Sequence, residues 1–336
     1  MGFFDFRKTT YDVFQSIPKY SMSANSTPGV LNGRALARSD KLYIPASSGA
    51  QCIVFDKNFS GSFSGSWTTG TPNNIADNTN NIFVCTTSGL KISGDNGATW
   101  SSSTTFASTN CGPLSASDSL VLASLGSGMH YSTDNGDTFL SVPGLDPYTS
   151  STFSAPGIGS YSGYLKYFPE TKKHVMVGQR NTVGTPDGVL YAFDDQNTFS
   201  SIDITNAGQL TAVTYFDGYY YAFSSITGDS RSGVCYKIDK NLTGYTELQS
   251  ASVSYGTSYQ MQIFDAIVHN GTVYAVMGNT FPAIFKLQAG VFTLVPCGGT
   301  FPTSDTNKNR FAVEFNGNMY TNLGGVLISN LRSQTT

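Results

Sequence analysis

The chain has 336 residues, of which only 12% are charged, and its formal net charge is −3. Basic residues form no run longer than Lys172-Lys173, which argues against nucleic-acid binding because phosphate neutralisation needs a basic face. No stretch has the length or apolar purity of a membrane span, which argues against membrane insertion.

The chain opens Met1-Gly2-Phe3-Phe4-Asp5-Phe6-Arg7-Lys8. No apolar core follows a basic start, so this is not a signal peptide. Phe6 stands where the myristoylation pattern requires Ser or Thr. Phe3, Phe4 and Phe6 form an arm, residues 1–8, that either folds onto the body or anchors a partner. Residues 9–18 then read as a strand, Thr10-Tyr11-Asp12-Val13-Phe14, similar to Asp137-Thr138-Phe139-Leu140-Ser141.

From there one unit recurs: an inner strand, a polar turn, a second strand rich in β-branched and aromatic residues, then a third and a fourth. The second strands carry Leu42, Phe83, Val121, Val175, Tyr220, Val273 and Met319, at intervals of 38 to 54 residues. Asp217-Gly218, Asn270-Gly271 and Asn316-Gly317 are strong hairpin signals between apolar runs. A four-stranded unit of this length is the blade of a β-propeller. The last unit reaches Val326-Leu327-Ile328-Ser329 without a fourth strand of its own. Residues 9–18 supply it. The expected architecture is therefore all-β, a single seven-bladed β-propeller over residues 9–336, closed by an N-terminal strand that removes the sheet edges.

Two blades share an eight-residue turn. Ser93-Gly94-Asp95-Asn96-Gly97-Ala98-Thr99-Trp100 and Ser132-Thr133-Asp134-Asn135-Gly136-Asp137-Thr138-Phe139 lie 39 residues apart. The carboxylate accepts backbone N–H groups inside a tight hairpin, and the glycine supplies a positive φ. Trp100 or Phe139 then packs back into the blade. The pattern resembles the Asp-box, or BNR repeat, of sialidase-like propellers, carried here by Ser93, Asp95, Gly97 and Trp100 and by Ser132, Asp134, Gly136 and Phe139. The resemblance implies a hairpin type and no particular activity. A sialidase would further need an arginine cluster, a Tyr/Glu pair and an Asp acid/base. Its early Arg-Ile-Pro motif is absent, because Arg7, Arg34 and Arg38 precede Lys8, Ala35 and Ser39. Of the glutamates Glu170, Glu247 and Glu314, only Glu314 falls on an inner strand. No carboxylate pair for glycoside hydrolysis is evident, so no catalytic residue and no cofactor is assigned.

Aligning inner strands places Arg34 level with Arg310, and Arg38 level with Glu314, near the central channel, because the first and seventh blades become neighbours on closure. Paired arginines hold a carboxylate or phosphate. The expected alternative is an Arg38–Glu314 ion pair with Arg34 and Arg310 solvated. Asp305, Asn307 and Asn309 alternate as in a calcium loop. Arg310 and Asn316 replace its glycine and glutamate, so a polar turn is expected and no metal is assigned. His130, His174 and His269 lack ligand spacing. Tyr161, Tyr164, Tyr167, Tyr219, Tyr255 and Tyr259 either pack between blades or serve as contact rings.

Five cysteines include no C-x-x-C, and the odd number leaves at least one thiol free. That suits folding in a reducing cytoplasm. The surface is built from Ser, Thr, Asn, Gly and Tyr. A chain without a signal yet with this external character looks like a virion or appendage protein of a tailed phage. The expectation is a non-enzymatic structural or host-receptor-recognition part, localised in the virion after assembly in the host cytoplasm. Its expected partners are other virion proteins and a host surface glycan. The alternative is a carbohydrate-active propeller.

Overall fold

A computed structural model describes residues 10–21, 34–46, 50–58, 60–106, 110–125, 128–142, 164–180, 187–196, 198–225, 234–248, 262–278, 283–295, 297–298, 311–323 and 326–335. Phe3, Phe4, Phe6, Asp305, Asn307, Asn309, Arg310, Tyr161, Tyr255 and Tyr259 lie outside them. Every regular element among the described residues is a strand.

Six antiparallel sheets have four strands each, in chain order from inside to outside. The first blade comprises Leu36–Arg38, Lys41–Ala46, Gln51–Asp56 and Gly61–Phe63. The second comprises Pro72–Asp77, Ile82–Thr86, Gly89–Ser93 and Ser101–Ser102. The third is Cys111–Ala116, Val121–Leu125, Gly128–Ser132 and Leu140–Ser141. The fourth is Tyr164–Phe168, Lys173–Arg180, Asp187–Phe193 and Phe199–Ile204. The fifth is Gln209–Phe216, Tyr219–Ser225, Cys235–Asp239 and Tyr245–Leu248. The sixth is Gln262–His269, Thr272–Gly278, Ala283–Gln288 and Val291–Val295.

The closing sheet departs from that form. It has five strands, in the order Cys297–Gly298, Thr10–Ser21, Val326–Thr335, Asn318–Leu323 and Ala312–Phe315. Seven like units were expected from the repeat, and six sheets have the four-stranded form. The extra strand follows the sixth blade and pairs parallel to the N-terminal strand, Phe14 opposite Cys297. The N-terminal strand extends beyond residue 18 to Ser21 and pairs antiparallel with Val326–Thr335, Thr10 opposite Thr335. Each inner strand neighbours that of the next sheet, and Ala312–Phe315 neighbours Leu36–Arg38, so the β-propeller ring is closed.

The core lies between the blades because each sheet has two buried faces. Ile82–Thr86 is buried along its whole length. Tyr43, Cys52 and Val54 of the first blade pack against Ile75, Ile82 and Val84 of the second and against Trp67 between them. Full burial of each such side chain contributes about 1.5–3 kcal/mol. The Asp-Gly and Asn-Gly hairpins have positive φ at both residues, as in Asn316 (49°) and Gly317 (71°), which matches the twist of the flanking strands.

Cys85 of the second blade is bonded to Cys111 on the inner strand of the third, with 4.9 Å between Cα atoms. Cys52 and Cys235 are buried free thiols whose pKa burial raises.

Both copies of the repeated eight-residue turn insert between blades. A Cβ on Gly136 would lie 3.0 Å from Phe83 and 3.1 Å from Ile92 of the second blade, at a φ of 90°. On Gly317, at φ 71°, it would meet nothing. Gly136→Ala should therefore cost about 2–3 kcal/mol, combining left-handed strain with a clash, whereas Gly317→Ala should cost about 1 kcal/mol. Denaturant unfolding of the two variants measures the difference.

Candidate functional site

The two repeated eight-residue turns, 93–100 and 132–139, are wired alike. Ser93 Oγ donates to Asp95 Oδ1 (2.8 Å) and accepts from Gly97 N (2.8 Å), while Thr99 donates through N to Oδ1 (2.8 Å) and through Oγ1 to Oδ2 (2.6 Å). Ser132, Asp134, Gly136 and Thr138 repeat this. The Thr99 bonds hold the Asp95 carboxyl down at a pKa of about 2, so it stays ionised. These turns also reach the preceding blade. Tyr43 Oη donates to Asn96 O (2.9 Å) and Gly65 N to Gly97 O (2.8 Å). Trp100 meets Trp67 edge-on at 5.3 Å, and Phe139 meets Phe106 at 5.2 Å. The role of these residues is structural.

Sequence pattern missed three degenerate copies of the device. Asp56 accepts from Asn58 N and Ser60 N, Asp194 from Gln196 N and Thr198 N, and Asp239 from Asn241 N and Thr243 Oγ1. The signal that finds them is a Ser or Thr four residues after the strand-ending aspartate.

On one face of the ring the inner turns interlock from blade to blade. Arg38 Nε donates to Asn96 Oδ1 (3.0 Å), and Nη1 to Asp77 Oδ2 (3.1 Å). It also donates to the carbonyls of Asn78, Thr79 and Asn81. The expected Arg38–Glu314 pair does not form, because Arg38 turns toward the second blade, where five acceptors converge. Exposed Glu314 instead faces buried His269 Nδ1 at 3.3 Å. From the second blade, Asn78 Nδ2 donates to Ser117 O (3.2 Å), and Thr79 donates through N and Oγ1 to the Asp118 carboxylate (2.8 and 2.9 Å). From the third, Ser117 Oγ donates to Asp195 Oδ1 of the fourth (3.1 Å).

Over this chain of turns lies a groove of about 750 Å³ lined by Arg38, Asn96, Asp118, Tyr167, Lys172 and Asp195. Tyr167 is half-buried, and its ring lies against His174 at 4.7 Å, which fixes it as a wall of the groove. His174 is fully buried between Ser115 Oγ (2.8 Å from Nδ1) and Ser117 Oγ (3.2 Å from Nε2). Burial depresses its pKa to about 4, against the opposing pull of Asp195. This is not a nucleophilic triad, since the Asp195 carboxylate orients Ser117 and not the imidazole. Hydrogen bonds from Thr79 lower the Asp118 pKa, which makes it a poor general acid. Asp77, raised by burial, is committed to Arg38. What remains for a ligand is a ring wall, an exposed lysine and acceptor carboxylates, a set suited to hydroxyl-rich ligands.

A second cluster lies on the axis. Arg34, just before the first blade's inner strand, donates from Nη1 to Leu165 O of the fourth blade (2.6 Å), and its Cζ lies 3.6 Å over the Tyr164 ring. Tyr164 Oη donates to Asp265 Oδ1 of the sixth blade (2.8 Å). Asp265 also accepts from Ala266 N and from Ala312 N of the closing sheet, both at 2.9 Å. Blades that are not neighbours in the ring can meet in this way only across its centre. Arg34 is thus engaged with Tyr164 and Leu165; Lys166 and Asp265 are site residues that sequence reasoning missed, and the sequence marks Tyr164 only as a packing or contact ring.

No protein-family model matches the chain, and no curated protein matches it. Solved structures do. The chain is similar to virginiamycin B lyase from Staphylococcus aureus at 9% identity and a TM-score of 0.63, covering 94% of this chain and 97% of that one. It is similar to YCF48 from Cyanidioschyzon merolae at 11% identity and a TM-score of 0.59, covering 94% and 98%. It is also similar to PorZ, a bacterial surface component of the type-IX secretion system of Porphyromonas gingivalis, at 13% identity and a TM-score of 0.56, covering 89% of this chain and 46% of that one. These likenesses show the β-propeller fold.

Neutral His174 stabilises the folded state fully above its unfolded pKa near 6.5. Below that pH the unfolded chain takes up the proton first, so stability falls until pH reaches the folded value of about 4. Wild type should lose on the order of 3 kcal/mol from this group across that window, and His174→Gln should lose markedly less. Urea unfolding at stepped pH values checks the difference in slope.

Proposed function

We propose that this chain is a non-enzymatic, seven-bladed Asp-box propeller of a phage virion that recognises a host surface glycan through the groove over its first four blades. The five-stranded closing sheet counts as the seventh blade. The observation that carries the reading is the groove itself, in which a fixed tyrosine ring stands beside acceptor carboxylates and an amide. Sugars are recognised by such pairing of an aromatic face with polar groups at their hydroxyls. The uncharged polar composition supports placement on a particle, and the Phe3-Phe4-Phe6 arm supports attachment to another virion protein. On this reading the Cys85–Cys111 pair closes once the particle has left the reducing cytoplasm.

A second reading, hydrolysis of the bound glycan, is favoured by one observation, the presence of both Asp118 and Asp195 along the same groove. A single experiment separates the two. Purified protein is incubated with extracted surface polysaccharides from a bacterial panel, and both retention and new reducing ends are measured. Recognition predicts retention without release, and Tyr167→Ala should weaken retention about tenfold or more with the fold intact. Release that is lost in both Asp118→Asn and Asp195→Asn would instead establish hydrolysis. Retention unchanged in Tyr167→Ala would remove the groove as the binding site.

A further inference from the structure

The axial cluster carries more positive charge than its contacts consume. Arg34 has five N–H donors, and among the described residues only Nη1 is engaged, with Leu165 O. Lys166 sits two residues beyond Tyr164 on the same inner strand, so both side chains lie on one side of it. Among the described residues its ammonium has no hydrogen-bond partner, and its contact is the Phe168 ring at 5.6 Å. The local carboxylate, Asp265, already accepts from Tyr164, Ala266 and Ala312. Two half-buried cations, Arg34 and Lys166, therefore lie near one buried carboxylate whose oxygens are already occupied by donors, while the other carboxylate that acts on Lys166, Glu170, is exposed.

We propose that the axis of the ring is a small-oxyanion site of the phosphate class, in which the free edge of the Arg34 guanidinium and the Lys166 ammonium hold the anion. Arginine presents two parallel N–H groups that match two oxygens of a phosphate, while lysine serves as a point charge. Tyr164 stacks beneath the guanidinium and fixes its plane, and the Leu165 carbonyl fixes its position along the axis. Burial depresses the Lys166 pKa, against the opposing pull of Asp265 and of exposed Glu170, as expected of an ammonium without a close counter-ion. A bound anion supplies that counter-ion. The sequence reading paired Arg34 with Arg310; in the structure Lys166 supplies the second charge. The site is separate from the groove.

The test uses inorganic phosphate and the full chain, with the melting temperature followed against phosphate at constant ionic strength set by sodium chloride. Wild type should show a saturable rise. Lys166→Met and Arg34→Lys should each need about tenfold more phosphate, the loss expected for one charge-assisted contact. Lys172→Met, in the groove, should respond as wild type does. A phosphate monoester in place of phosphate shows whether the anion is taken free or as part of a larger ligand. Phosphorus-31 line broadening on the wild-type protein keeps the test decisive even where a variant fails to fold. No saturable response in wild type, or an equal response in Lys166→Met, overturns the proposal. Because Tyr167→Ala leaves the axis untouched, failure of the groove to bind glycan and failure of the axis to bind phosphate are distinguishable.

Discussion

Closure of the ring is the constraint on which the rest of the structure depends. A row of twisted sheets packed face to face has two exposed ends, and each end sheet would present an apolar face to water. Here the N-terminal strand Thr10–Ser21 pairs with Val326–Thr335, which joins the two ends of the sequence in one sheet. Ala312–Phe315 then lies beside Leu36–Arg38, with Phe311, Val313 and Phe315 packed on Leu42, Ile44 and Phe55. Only a closed ring brings Arg34 over Tyr164 and Tyr164 onto Asp265, because these residues come from blades that share no face. The axial cluster is therefore a consequence of closure, and its hydrogen bonds in turn tie together the first, fourth and sixth blades and the closing sheet.

The architecture was largely legible in the sequence because a blade is a local unit. Its second strand is buried on both faces, so it reads as a short apolar run, and its hairpins need residues that tolerate positive φ. Asp217-Gly218, Asn270-Gly271 and Asn316-Gly317 announce both, and all three turns have that conformation. The two repeated eight-residue turns were legible for the same reason. Their degenerate copies at Asp56, Asp194 and Asp239 were not, because the residue two before each aspartate is Val54, Ala192 or Lys237 and not serine. The part that does the work is shorter than the motif: one carboxylate and the N–H or hydroxyl donors two to four residues on.

Side-chain partnership was much less legible. Register along inner strands gives height within the ring but not which neighbouring blade a long side chain will choose. Arg38 turns to the second blade, where Asp77, Asn96 and three turn carbonyls converge, and away from Glu314. The pairing across the axis lay equally beyond a linear reading. Arg34 and Leu165 are 131 residues apart, and nothing in the local pattern of either joins them. Lys166 does not stand out in the sequence, because a lone lysine in a strand carries no local signal of its partners.

Low charge content and the interlocked turns belong to one design. With few ions available, the chain fastens its blades through turn carbonyls and amides, using short side chains such as Asn78, Thr79 and Ser117 that lose little entropy when fixed. Where it does place a charge near the interior, it surrounds that charge: Arg38 with five acceptors and Asp265 with three donors. Burying an ion is costly unless such partners are present. Against that pattern the half-buried Lys166 is the exception, a cation with no hydrogen-bond partner among the described residues and with Arg34 among its neighbours. The groove and the axis thus differ in kind. The groove is a surface assembled from satisfied groups that can lend hydrogen bonds to a large hydroxyl-rich partner, and the axis is a point of unbalanced charge that suits a small anion.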